Sequence, residues 1–186
     1  LRVLCAVRDG PAHFAALTHL KALAADAKAI LGSGVKISYA ADWSDYGRHQ
    51  ADDGSLYFHL DPLWADPNID FVGIDFYAPL SDWRDGNDHL DATAGHASIY
   101  DGAYLESNIE GGEFYDWFYG SEADREAQVR TPITDGAYGK PWVWRAKDVR
   151  NWLSNAHYDR PGGVENATPT VWTPQSKPIW FTEFGI

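Results

Sequence analysis

The chain has 186 residues, of which 45% are hydrophobic, so it is long and apolar enough to bury the core of one globular domain. Its formal net charge of −12 argues against nucleic acid and anionic membrane surfaces as partners. A single cysteine excludes an internal disulfide and a cysteine-based zinc cluster, and no apolar run approaches the roughly 18 residues of a membrane span.

The chain begins at Leu1 without an initiator methionine, contains no methionine and stops one residue after Gly185. We therefore expect both ends to be cut from a longer protein, and no signal peptide is visible. Cys5 is interpreted as a small buried apolar residue. The 9 Trp, 10 Tyr and 8 Phe residues are interpreted as core residues, with the lining of a sugar or ligand cleft as the alternative.

The first part of the chain predicts a strand end followed by a helix. Leu1–Val7 is mostly apolar and is typical of the end of a strand. Apolar residues at helical spacing predict a helix from about Pro11 to Leu31, ended by Gly32. His13 and His19 lie on this helix without a clustered partner and are interpreted as surface or packing residues.

A second strand is predicted over Val35–Trp43. Side chains alternate along a strand, so Asp42 lies on its small-residue face and at its carboxyl end. Residues 44–55 are typical of a polar loop, and 56–60 of a short extended segment. The sequence DPLW at 61–64 indicates a helix start, with its aspartate as N-cap and proline at the first helical position.

Ile69–Pro79 and Lys177–Gly185 predict two further strands. Asp75 and Tyr77 share one face of the first. The second is expected to be buried, with Ile179, Phe181 and Glu183 on one face. Burying such a carboxylate is costly unless it is paired, which favours a catalytic carboxylate over the alternative, an exposed glutamate at a strand end.

Three strands therefore place polar groups at the same end: Asp42, then Asp75 and Tyr77, then Glu183. This pattern indicates β/α units that share one functional rim, like the carboxyl-terminal mouth of a barrel. A complete (β/α)8 barrel has about 250 residues. We predict an α/β fold with a partial TIM barrel as a single domain over residues 1–186, in which 80–177 is a long insertion that packs over the rim.

The insertion predicts short helices and a polar loop. The helices are expected around Tyr104–Ile109, Phe114–Tyr119, Ser121–Val129 and Lys147–Ala156, with Ser121 as the cap of the third. Acidic and histidine residues recur in its first part: Asp82, Asp85, Asp88, His89, Asp91 and His96. Their spacing fits no established metal-ligand motif, so we interpret this part as a solvated loop, with a metal site as the alternative.

Five segments together resemble a known family. They are SYAADWSDY (38–46), YFHLDPLW (57–64), DFVGIDFYAPLSDWRDG (70–86), RTPITDGAYGKPWVWRAKDVRNW (130–152) and PQSKPIWFTEFG (174–185). These phrases resemble the TIM-barrel-like domain of gene transfer agent and phage tail proteins, which occurs in the large host-specificity or hub protein at the tail tip. That domain in turn is similar to glycoside hydrolases built on (β/α)8 barrels with two catalytic glutamates.

The resemblance implies a register and catalytic roles. The strands would be about the fifth to seventh of a barrel, with the insertion after the sixth. Thr182-Glu183-Phe184-Gly185 matches the phrase that carries the nucleophile at the end of strand seven, so Glu183 is the expected nucleophile. Tyr77 matches the tyrosine that hydrogen-bonds that nucleophile. The acid/base glutamate at the end of strand four would fall before Leu1.

The resemblance also implies a substrate and partners. With a retaining two-carboxylate mechanism, Asp42 and Asp75 would bind sugar hydroxyls, Trp43 and Trp83 would stack on pyranose faces, and no metal or other cofactor is expected. The partners would be a cell-surface or cell-wall glycan and other tail or baseplate proteins. The location would be the tail of a phage-like particle produced in the bacterial cytoplasm. The alternative is a catalytically inactive structural or glycan-binding module of the tail tip.

Overall fold

The computed structural model describes residues 5–10 and 12–185. The chain forms two compact units. The first contains residues up to Phe76 together with Arg150–Phe184, and the second contains Tyr77–Val149 and Gly185. Each unit has its own secondary structure and its own buried residues.

The first unit is built from short strands and helices. Its elements are α1 (Ala15–Leu31), β1 (Ala40–Asp42), β2 (His49–Gln50), β3 (Leu56–Tyr57), α2 (Asp61–Trp64), β4 (Val72–Phe76), a 3-10 turn (Pro161–Gly163) and β7 (Ile179–Phe184). The second unit contains α3 (Leu90–Thr93), α4 (Gly102–Ser107), β5 (Trp117–Phe118), α5 (Glu122–Glu126), β6 (Thr131–Pro132) and a 3-10 turn (Pro141–Val143). Helix α6 (Val149–Ser154) begins at Val149 of the second unit, and its other residues belong to the first.

The central feature of the first unit is a three-stranded sheet with the order β1-β4-β7. Both strand pairs are parallel, and α1 precedes β1 while α2 lies between β1 and β4. This arrangement confirms the predicted α/β class with parallel strands. No closed barrel is formed by the residues that the structure describes.

Helix α1 begins at Ala15 rather than near Pro11, which lies outside the described residues. Phe14, the residue before the helix, has an extended backbone (φ −118°, ψ 104°) and forms a bridge with Arg8. The helix ends as predicted at Gly32, whose φ of 81° favours glycine. The strand end expected over Leu1–Val7 falls largely outside the described residues.

Asp61 does not act as the expected N-cap of α2. Leu60 holds that position, and Asp61 is the first helical residue. Its buried carboxylate instead contacts His157 Nδ1 at 2.9 Å and accepts a hydrogen bond from the Thr170 hydroxyl. The N-cap prediction is wrong because a partner 96 residues away satisfies this carboxylate.

Strand β7 is also different from its prediction. Five of its six residues are exposed, so the expectation of a buried strand is wrong. Among the described residues β7 pairs with β4 alone, which leaves its other edge without a neighbouring strand. The buried centre of the sheet is β4, where Val72 and Ile74 have no solvent exposure.

In the second unit, Phe114–Tyr119 is not helical. Phe114 has a φ of 62°, outside the helical region, and the chain continues into β5, which pairs with β6. The neighbouring prediction for α5 is confirmed at its start, where Ser121 Oγ accepts a hydrogen bond from the Asp124 N–H at 3.1 Å.

The acidic and histidine-rich part of the second unit is not a fully solvated loop. His89 and Asp91 are buried, and the Asp82 side chain is only 7% exposed. Asp82 and Asp91 both accept hydrogen bonds from Arg130. In residues 5–10 and 12–185, no group of three or more His, Cys, Asp or Glu side chains is arranged to hold a metal ion.

None of the helices in the described part of the chain has the length and apolar character that a membrane crossing needs.

Candidate functional site

The carboxyl ends of the three parallel strands bring three predicted site residues into register. Asp42 of β1 pairs with Asp75 of β4, and Asp75 pairs with Glu183 of β7. Because neighbouring strands lie about 4.8 Å apart, these three residues form one row across the sheet. We call this row, Asp42–Asp75–Glu183, the carboxyl-end row.

A β-bulge places Glu183 in this row. Ile74 pairs with Phe181, so regular alternation would pair Asp75 with Thr182 and place Glu183 on the opposite face. A register shift between Ile74 and Asp75 adds one residue to β7, and Asp75 pairs with Glu183 instead. The predicted shared face of Phe181 and Glu183 is therefore wrong. Bulges often redirect a side chain in this way next to functional sites.

Local hydrogen bonds hold the carboxylates of Asp42 and Asp75. Thr182, the extra residue of the bulge, donates from Oγ1 to Asp75 Oδ1 at 2.7 Å. Asp42 Oδ1 accepts from the Ser44 N–H at 2.8 Å and from the Ser44 hydroxyl at 2.5 Å. These bonds fix the orientation of both side chains. The third residue of the row, Glu183, is exposed.

The predicted aromatic residues lie in different surroundings. Trp43 follows β1 and is half-buried, and its backbone N–H donates to the Asp75 carbonyl at 3.1 Å. Tyr77 is 50% exposed, and its ring lies so close to Gly185 that a Cβ there would be 2.6 Å from the ring. Trp83 packs edge-on against His89 at 4.4 Å within the second unit. The roles of these residues in binding or catalysis stay predictions.

The structure adds a cleft of mixed polar and apolar lining that the sequence did not suggest. It has a volume of about 590 Å³ and is lined by Ser44, Asp45, Arg48, His49 and Gln50 together with the apolar Ala6 and Val7. The five polar residues belong to the segment that follows the carboxyl end of β1, and they had been interpreted as a plain polar loop. The strands β2 and β3 that order this segment have two residues each, too few for a periodic signal.

A half-buried tyrosine, Tyr39, interacts electrostatically with one carboxylate of the cleft and one of the carboxyl-end row. Burial raises the pKa of Tyr39, and the Cys5 thiol and the Asp45 and Asp75 carboxylates raise it further. Burial likewise raises the pKa of Cys5, which is fully buried. Tyr39 is therefore a neutral phenol that feels the charge of both Asp45, in the cleft, and Asp75, in the row.

Parallel strands with helices between them, and polar residues at their carboxyl ends, are features of an α/β domain. The chain matches the family model of the GTA TIM-barrel-like domain over residues 1–186, and it belongs to this family of gene transfer agent domains. No curated protein matches the chain.

Proposed function

We propose that this domain acts on a cell-surface or cell-wall glycan at the tail of a gene transfer agent particle, as a retaining glycoside hydrolase with Glu183 as nucleophile. The observation that carries the proposal is the bulge, which aligns Glu183 with Asp75 and Asp42 at the carboxyl ends of the sheet. Active sites of barrel enzymes lie at this end of their strands.

In the proposed reaction, a Glu183 oxygen attacks the anomeric carbon as the glycosidic bond breaks, and a second carboxylic acid protonates the leaving oxygen. That second group then removes a proton from water, which releases the sugar from Glu183. The family resemblance places the second group before Leu1. Asp42 and Asp75 would bind sugar hydroxyls.

The family resemblance adds three residues to this proposal. The Tyr77 hydroxyl would orient Glu183, and the rings of Trp43 and Trp83 would stack on sugar rings. The tail location, and other tail or baseplate proteins as partners, also rest on the resemblance.

One observation favours a second candidate, a glycan-binding module without catalysis. Glu183 is exposed, whereas a catalytic nucleophile acts best in a site that excludes water. A binding module would use the same acidic row for sugar hydroxyls and would need no second carboxyl group.

Replacement of Glu183 by Gln separates the two candidates. An amide is a far poorer nucleophile than a carboxylate, so Glu183→Gln should lower turnover of cell-wall or surface polysaccharide by several orders of magnitude with the fold intact. The matched control is Glu126→Gln, at an exposed glutamate of α5. The measurement is release of reducing ends by the full-length protein.

Hydrolysis that survives Glu183→Gln would reject the catalytic role. Binding without hydrolysis by the wild type would favour the second candidate.

A further inference from the structure

We propose that the cleft formed by residues 44–50 is a binding subsite for neutral carbohydrate, which holds a further part of the glycan that the carboxyl-end row engages. This inference rests on the proposed function, since it extends the same site along the same substrate. It assigns His49 as a residue that contacts the sugar.

The chemistry of the cleft fits hydroxyl groups. Ser44, Asp45, Arg48, His49 and Gln50 supply a hydroxyl, a carboxylate, a guanidinium, an imidazole and an amide. Each sugar hydroxyl both donates and accepts, so a lining with donors and acceptors side by side can pair with neighbouring hydroxyls. A carboxylate and a guanidinium in the same cleft favour a neutral polar ligand over an ion of either sign. Its volume of about 590 Å³ is typical of small-molecule sites.

His49 is suited to this role at neutral pH. Burial lowers the pKa of its imidazole, and the neighbouring His59 and Arg8 lower it further, against the opposite effect of Asp45 and Asp52. A neutral imidazole offers one donor and one acceptor. It can therefore accept from one sugar hydroxyl and donate to another.

A buried histidine, His59, lies next to two residues of the lining, and it lines a separate, smaller cavity rather than the cleft itself. The His59 side chain has no solvent exposure, and neither of its ring nitrogens makes a hydrogen bond. Its Nε2 lies 3.7 Å from Asp45 Oδ2, and its ring centroid lies 5.7 Å from that of His49. Leaving a buried polar group unpaired costs about 1–3 kcal/mol, and His59 offers its ring nitrogens next to Asp45 and His49.

The backbone of the cleft is held by two buried tryptophans. Trp64 Nε1 donates to the Tyr46 carbonyl at 3.1 Å, and Trp152 Nε1 donates to the Gly47 carbonyl at 3.2 Å. A Cβ at Gly47 would lie 3.2 Å from the Trp152 ring, so glycine permits this close approach. A site fixed in this way loses little conformational entropy when a ligand binds.

The cleft is continuous with the carboxyl-end row. Ser44 lines the cleft, and it also donates from its N–H and its hydroxyl to Asp42 Oδ1. A glycan whose sugar lies at Asp42 can thus place its next unit against Ser44 and His49.

Binding can be measured without hydrolysis by NMR titration of the full chain, as wild type and as Glu183→Gln. The probes are neutral oligosaccharides (cellotetraose, xylotetraose, maltotetraose and tetra-N-acetylchitotetraose), with inorganic phosphate and trigalacturonic acid as anionic controls. We expect at least one neutral probe to shift the amide signals of residues 44–50. His49→Ala should weaken that binding roughly three- to tenfold, as expected for one lost hydrogen bond.

The matched control is His19→Ala, at an exposed histidine of α1, which should leave binding unchanged. His49→Gln, which keeps a donor and an acceptor, should lose less affinity than His49→Ala. If both His49 variants unfold, the test of the subsite is whether the amide signals of residues 44–50 shift in the wild type.

The absence of shifts at residues 44–50 with every neutral probe, or a preference for phosphate or trigalacturonic acid, would overturn the inference. Shifts confined to the strand ends would overturn it and leave the proposed function standing. Binding at 44–50 by a protein that hydrolyses no polysaccharide would support the inference while rejecting the proposed catalysis.

Discussion

The Asp70 carboxylate joins the last turn of α1 to the segments that lead into β1 and β4. Lys28, in that last turn, donates from Nζ to Asp70 Oδ2 at 2.5 Å and to the Val35 carbonyl at 2.8 Å. The Ile37 N–H donates to the same Asp70 oxygen at 2.7 Å. One carboxylate therefore fixes how the helix returns to the sheet that carries the acidic row.

These contacts predict a defined acid sensitivity. The hydrogen bond from Lys28, followed by that from the Ile37 N–H, lowers the pKa of Asp70 from 3.8 to about 2. A carboxyl group with a lowered pKa in the folded state stabilises the fold above its unfolded pKa, and this contribution is lost as the pH falls through the folded value. The stabilisation by Asp70 should thus be complete above about pH 4 and gone near pH 2.

The measurement compares urea unfolding of the wild type and Asp70→Asn between pH 7 and pH 2. Asp70→Asn should be less stable at pH 7, and the difference should shrink as the pH falls from about 4 to 2. Asp26→Asn, at an exposed aspartate of α1, is the control and should show no such trend. A difference that does not change with pH would contradict this role for Asp70.

At the residue scale, local signals predict a side chain only when its partners are local. Ser121 was correctly predicted as a helix cap because the N–H that it accepts from is three residues away. Asp61 has the same kind of local pattern, but its carboxylate contacts His157, which stacks on the Phe58 ring at 4.3 Å. No local sequence pattern contains that partner.

At the element scale, β4 is the strand on which the acidic row depends, because it pairs with both β1 and β7. Gly73, the second residue of β4, lets the neighbouring chain approach closely. A Cβ at this position would lie 2.7 Å from the Tyr39 carbonyl oxygen and 3.4 Å from the Thr182 side chain. Both contacts would lie on the face of β4 that also carries Asp75.

Gly73→Ala should therefore destabilise the protein by about 1–3 kcal/mol, as overpacking in a fitted interior does. The reason is that a backbone oxygen in a paired strand cannot move away as a side chain can. Gly34→Ala is the matched control, since no atom lies within 4 Å of a Cβ there and its φ is not in the left-handed region. Denaturant unfolding measures both, and equal stability of the two variants would show that the sheet can adjust.

The sequence predicts the existence of these strands better than their pairing. Apolar runs that end in Asp42, Asp75 and Glu183 were enough to predict three strands with polar carboxyl ends. Counting alternate residues could not reveal the bulge at Thr182, because the register between two strands depends on contacts across 107 residues of sequence. The β2–β3 pair and the cleft beside it gave no periodic signal because each of these strands has only two residues.

At the scale of the whole molecule, the second unit has a charged interior of its own. Arg130 donates from Nη2 to Asp82 at 2.7 Å and to Asp91 at 2.8 Å, and Tyr104 donates its hydroxyl to Asp91 at 2.6 Å. The Tyr119 hydroxyl also donates to Asp82, at 2.6 Å. Both carboxylates are nearly buried, and the arginine is 39 to 48 residues away from them in sequence, so this network was not predictable from local spacing.

Removal of Arg130 should destabilise the second unit more than the first. Arg130→Leu leaves two nearly buried carboxylates without their shared cation, and breaking a buried ion pair from one side costs roughly 3–5 kcal/mol. Arg84→Leu is the comparison and should cost less. Arg84 donates to Asp82 and to the Arg125 carbonyl but not to Asp91, and it is more exposed than Arg130. Native-state hydrogen exchange should show the larger loss of protection in residues 77–149. Equal losses in both units, or an Arg84→Leu variant as unstable as Arg130→Leu, would contradict the view that this network is the core of the second unit.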